Sequence, residues 1–171
     1  MKKRVSVAVI AAAVLLAGDA VLEARETGPE ALIGKARAVT LSPHFSREEI
    51  TQALVGVLDA TLLVLPPTSY AAEFKGRIET VRKMMGEGVL LEDKVRQYLG
   101  LAYKLASGGK AWAVPEELAS AYREAEIMDR AKKLCVALLD RALAAIEAGR
   151  REEAVRDLVG FVLFVVTPVE A

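Results

Sequence analysis

The residue types that carry most enzymatic chemistry are scarce in this sequence, which holds one histidine, His44, and one cysteine, Cys135. A histidine-based triad would have to use His44, and the surrounding Ser42-Pro43-His44-Phe45 identifies no partner nucleophile. Its place just before an expected helix start reads as a surface or capping position. One histidine cannot supply the paired Glu-x-x-His motifs of a di-iron bundle. One cysteine cannot attach haem through Cys-x-x-Cys-His or build a thiolate zinc site. Gly108-Gly109-Lys110 has the residue types of a phosphate-cradling loop but lacks its spacing, its hydroxyl and a preceding strand. No catalytic residue, cofactor site or metal site is therefore expected.

Carboxylates remain, in the pairs Glu48/Glu49, Glu92/Asp93, Glu116/Glu117 and Glu152/Glu153. Each lies at or near an expected helix start, where an acid is stabilised by the helix dipole, so capping accounts for all four without a glycosidase-like pair. Cys135 shares a helical stripe with Met128, Ala131, Leu138 and Ala142, which predicts a buried, inert thiol. The best interaction candidate is the stretch Ser107–Pro115, which combines two glycines, Lys110 and the only tryptophan, Trp112. Lys110 and Trp112 are the candidate partner-binding residues; the competing expectation is that Trp112 folds back over a bundle end. Tyr98, Tyr103 and Tyr122 read as residues at the core boundary.

The elements that position these residues are expected to be helices. The chain has 171 residues, 53% hydrophobic and only 5% aromatic, with alanine and leucine supplying much of the apolar content. That suits one helix-rich domain with a sizeable core. Gly28-Pro29-Glu30 opens a first helix carrying Leu32, Ile33, Ala36 and Val39. Ser46-Arg47-Glu48-Glu49 has the capping-box form, with Phe45 and Ile50 placed as a hydrophobic staple. The helix it opens carries Ile50, Leu54, Val57, Leu58, Thr61 and Leu65, and ends at Pro66-Pro67. Thr68-Ser69 opens a third, with Phe74, Ile78, Val81 and Met85 on one face, stopped by Gly86 and Gly88. Leu91, Val95, Tyr98, Ala102 and Leu105 mark a fourth. Pro115 starts a long helical stretch that runs to Gly149, with a bend or break near Arg123–Glu126. Arg150-Arg151-Glu152-Glu153 opens the last helix, whose apolar interior from Leu158 to Val166 also leaves a strand open. The expected fold is all-α, a single antiparallel bundle of five or six helices.

Two fragments suggest an alternative. Leu99-Gly100-Leu101-Ala102-Tyr103 resembles the first-helix signature of tetratricopeptide repeats, and Ala142, Ala145, Gly149 and Ala154 resemble the turn region of that family. The resemblance implies a short helical repeat. Aligning Gly100 with Ala142 gives a period of about 42 residues, against about 34 for the family, and the fragments cover about a quarter of the chain.

The N-terminus carries the clearest cellular information. Lys2-Lys3-Arg4 precedes an apolar stretch from Val5 to Gly18, followed by small residues, the organisation of a secretory signal. Gly18 and Ala20 favour cleavage after residue 20, with Ala24 as another site. An uncleaved inner-membrane anchor is the alternative, although a helix over Val5–Gly18 spans only about 21 Å of a bilayer core of about 30 Å. No cysteine lies nearby to carry a lipid anchor, and no paired-arginine signal is present. The expected organisation is a signal peptide at 1–20, an N-terminal extension with a short helix at 21–45, and the helical bundle at 46–171. The whole chain balances 23 basic against 23 acidic residues; with Lys2, Lys3, Arg4 and Asp19 removed, 20 basic and 22 acidic remain. That balance argues against nucleic acid as a partner.

The functional expectation is an exported periplasmic or extracellular module, non-enzymatic, that binds an envelope protein or has a structural role. A small-ligand binder or enzyme with a site between helices is the alternative, and a cavity lined by Tyr98, Tyr103 and Phe161 would favour it. A continuous exposed apolar patch would favour a protein partner. No basic amphipathic face points to a membrane surface, so contact with a membrane is expected only through an uncleaved signal segment.

Overall fold

A computed structural model describes residues 28–168; the expected signal segment lies outside them. The described chain is helical, with no strand, and comprises α1 (Pro29–Leu41), α2 (Arg47–Val64), α3 (Ala71–Gly86), α4 (Asp93–Ala106), α5 (Glu116–Ala121), α6 (Ile127–Glu147) and α7 (Arg151–Val166). Seven helices replace the expected five or six because the stretch after Pro115 breaks outright. The break falls at Tyr122–Glu126, where the Arg130 guanidinium donates to the carbonyl oxygens of Tyr122, Arg123 and Ala125. One cation from α6 thereby bonds three carbonyls of the turn between α5 and α6.

Most boundaries follow local chemistry. Pro29 sits in the first turn of α1. Ser46 Oγ accepts from Glu49 N at 3.1 Å, while Ser46 N donates to Glu49 Oε2 at 2.6 Å, completing the capping box of α2. These bonds to Ser46 hold the Glu49 carboxyl below its ordinary pKa. The sharp reversal between α6 and α7 turns on Gly149, at φ +75°, with Arg150 N donating to Ala145 O at 2.8 Å. Thr68-Ser69 does not open a helix. α3 begins at Ala71, after a turn in which Ala71 N donates to Thr68 O, and no side chain caps it.

A continuous core joins the helices. α7 packs against α2, α4 and α6, and its buried face includes Val155, Leu158, Val159, Phe161 and Val162. That central position explains why its sequence is apolar nearly all round, and its β-branched residues are accommodated in a helix rather than the strand left open above. α1 packs on both α2 and α6 and places Ile33 and Ala36 in the same core, so the helix of the N-terminal extension forms one of its walls. Leu91 precedes α4 and is exposed, and its neighbour Leu90 is buried instead. Met128 shares the Cys135 stripe but is 72% exposed, because the first turn of α6 projects past the core. Ion pairs tie neighbouring helices at Arg37–Asp140 (2.9 Å, α1 to α6), Arg82–Asp59 (α2 to α3) and Arg141–Asp157 (3.5 Å, α6 to α7). Among the described residues no helix is long and apolar enough to cross a membrane.

Candidate functional site

The projection of α6 past the core leaves an apolar cleft. Its walls come from four helices that the sequence patterns place together. α1 contributes Ala36 and Thr40, α2 contributes Ile50 and Leu54, α6 contributes Met128, Lys132 and Cys135, and α7 contributes Phe161 and Val165. Phe45, held before α2 by the capping box, completes the rim opposite Met128. The staple expected of Phe45 and Ile50 thus borders an opening rather than closing over it, and Phe45 remains 45% exposed. The cleft has a volume of about 180 Å³.

Its chemistry is almost entirely apolar. The Thr40 hydroxyl donates to Ala36 O at 2.9 Å within α1, which leaves it to a ligand only as an acceptor. Burial pushes the Cys135 thiol up to about 12, so the sulfur stays protonated and unreactive at neutral pH, as its place on an apolar stripe predicts. Lys132 is the only charged residue in the lining. A second depression of about 180 Å³ lies on the other side of Lys132, between Leu41 at the end of α1, Tyr122, and Lys133, Val136 and Asp140 of α6. The two depressions share Lys132 as a wall.

The residues singled out from sequence fall elsewhere. Lys110 is exposed in the α4–α5 loop, where its carbonyl accepts from Ser107 Oγ at 2.8 Å. Trp112, in the same loop, is half-buried against α7 and does not line the cleft. Its indole lies directly over Gly160: a Cβ added there would come 2.1 Å from Trp112 Nε1. The Phe164 ring meets it edge-on with centroids 6.2 Å apart. His44 is exposed, and its carbonyl accepts from Ser42 Oγ at 2.6 Å. The acidic pairs lie at the starts of α2, α4, α5 and α7, where an acid suits the helix dipole, and only Glu49 of α2 takes part in a side-chain cap.

Of the three aromatics whose shared cavity would favour a small-ligand site, Phe161 lines the cleft, while Tyr98 and Tyr103 do not. Tyr103 instead senses Arg141, Arg156 and Asp157, a polar cluster between α4, α6 and α7 in which burial raises both its pKa and that of Asp157. Among the described residues no group of three or more His, Cys, Asp or Glu is placed to hold a metal ion.

Phe45, Met128 and Lys132 were not singled out as surface residues by sequence reasoning. The available signal was the position of Ile127-Met128 at a helix start, outside the reach of neighbouring helices. Comparison of the chain with known family models, curated proteins and solved structures finds no match.

Proposed function

We propose that this protein is an exported, non-enzymatic interaction module, a single antiparallel helical bundle whose cleft between α1, α2, α6 and α7 receives apolar side chains of an envelope protein. The observation that carries this reading is the apolar mouth. Phe45 is 45% exposed and Met128 72% exposed on its rim, and Ile127, the chain neighbour of Met128, is 69% exposed. Leaving such side chains in water forgoes about 25 cal/mol for each Å² of apolar surface a partner would cover. Apolar surface gathered around a cleft is the usual mark of a docking site. The cleft is small for a free ligand and supplies no convergent polar groups to orient one, whereas a partner's Leu or Phe side chain needs no such groups. Export rests on the basic-apolar-small order of residues 1–20.

Two measurements test the reading. The mature protein recovered from the envelope should have an intact mass that begins near Val21 or Arg25; recovery of the uncleaved chain from the cytoplasm would refute export. A photoreactive residue at Met128 should yield a discrete polypeptide adduct in the envelope that the same residue at exposed Leu101 does not yield. Equal labelling from both positions, or none from Met128, would remove the cleft as a docking site.

A further inference from the structure

We infer that the partner segment docked at the cleft is an acidic amphipathic helix, which crosses α6 at Lys132 and places one apolar side chain in each of the two depressions. The inference rests on the reading of the cleft as a polypeptide-docking site and specifies the occupant.

Three observations carry it. The first is the doubling of the site. Two depressions of about 180 Å³ each share Lys132 as a common wall. An engineered apolar cavity of about 150 Å³ admits a benzene ring, so each has room for one large apolar side chain. Two holes on either side of one residue suit an elongated occupant with two anchors, as successive turns of a helix present them.

The second observation is the state of the cations at this mouth. Arg37 is paired with Asp140 at 2.9 Å, and Arg130 is committed to the carbonyls of Tyr122, Arg123 and Ala125. Lys132 and Lys133 form no ion pair among the described residues. Asp129, one turn earlier on α6, pairs with neither. Both ammonium groups line the second depression, whose one carboxylate, Asp140, is already paired with Arg37, so the unpaired lysines complement carboxylates that flank apolar anchors. Their alkyl stems can lie along the occupant while the charges remain in water.

The third observation is the lack of main-chain partners. Apart from Phe45 and Tyr122, which come from connecting turns, the walls are helices whose backbone groups bond within each helix, and the described chain offers no sheet edge. An extended peptide laid into this groove would lose water from its N–H and C=O groups and gain no replacement. A helix satisfies its own backbone and arrives with that cost already met.

The test is selection from a displayed library of amphipathic helices with randomised anchor positions and randomised flanking charge. The mature protein is the target, and its Met128→Arg variant is the counter-target. Met128 is largely exposed, so this variant should fold, which circular dichroism checks. Enrichment of sequences with two large apolar residues three or four positions apart and Glu or Asp between or beside them is the expected result. Synthetic peptides from the selection should bind at least about tenfold more weakly when their acids are changed to Lys, and Lys132→Glu with Lys133→Glu should invert that preference. Enriched helices that are neutral or basic, or that bind the lysine-reversed protein equally well, would overturn the acidic occupant and leave the docking reading standing. Absence of any sequence that prefers the protein to its Met128→Arg variant would overturn both.

Discussion

Replacing Gly160 with alanine should destabilise this protein and should stabilise the same protein once Trp112 has been removed. Gly160 lies inside α7, where alanine is favoured over glycine by about 1 kcal/mol. The added methyl would lie 2.1 Å from Trp112 Nε1, 2.9 Å from Cδ1 and 3.0 Å from Cε2. Carbon contacts settle near 3.5–4.0 Å, so the indole must retreat by about 1.5 Å or leave. Overpacking of this kind costs about 1–3 kcal/mol. The upper limit is complete undocking, which for a half-buried tryptophan should cost about 2–3 kcal/mol, below the about 3–5 kcal/mol of a fully buried one. Set against the helix gain of about 1 kcal/mol, Gly160→Ala should lose up to about 2 kcal/mol in the native background. In a Trp112→Ala background no ring opposes the methyl, and the substitution should gain about 1 kcal/mol.

The double-mutant cycle therefore predicts a coupling of about 1–3 kcal/mol, measured by denaturant unfolding of the four proteins followed by far-ultraviolet circular dichroism. Because Trp112 is the only tryptophan, its fluorescence should also shift to the red in Gly160→Ala. Additive effects, or a stabilised single variant, would refute the contact and return Trp112 to the role of a free surface anchor.

Ser46→Ala removes the capping box that aims Phe45 at the cleft, and should cost about 1 kcal/mol in thermal or denaturant unfolding; an unchanged midpoint would mean the cap is redundant. Asp157→Asn should stabilise the protein at neutral pH, because burial raises the Asp157 pKa above its ordinary value near 3.8, against the opposing pull of Arg141 and Arg156. The folded state then holds this proton more tightly than the unfolded state, so the carboxylate costs stability above the raised pKa, and that cost fades as pH falls toward 3.8. Unfolding curves across this range should show the gain shrinking with acidity, and a gain that grows instead would reverse the assignment. Cys135 should react with a thiol reagent at neutral pH only as fast as the protein opens, since its thiol is buried and pushed up to about 12; rapid labelling of the folded protein would contradict this.

Much of the scaffold was legible locally. The capping box at Ser46, the stop at Pro66-Pro67, and the buried stripe Phe74, Ile78, Val81 and Met85 depend on chemistry within a few residues, and they stand where the patterns put them. The start of α3 was misplaced because a hydroxyl pair before a helix signals a cap only if one oxygen reaches the first-turn amides, which neither does here. Trp112 was legible as unusual but not as to its side, because its place depends on a glycine 48 positions later in the chain.

Residue types and local spacing suffice for the helical class, most helix limits, the expectation of an inert thiol at Cys135 and the poverty of catalytic groups. Each follows from residue type and from spacing within one element. Where the core stops depends on how the helices pack. Met128 and Cys135 belong to the same stripe of α6 and look alike in periodicity, yet one is 72% exposed and the other 8%. The difference arises because α1 and α7 cover α6 at Cys135 and leave its first turn exposed, and helical periodicity states which face is apolar but not how far a neighbouring helix extends along it. The same uncovered turn joins Phe45, Met128 and Lys132, from elements more than 80 residues apart, into one mouth.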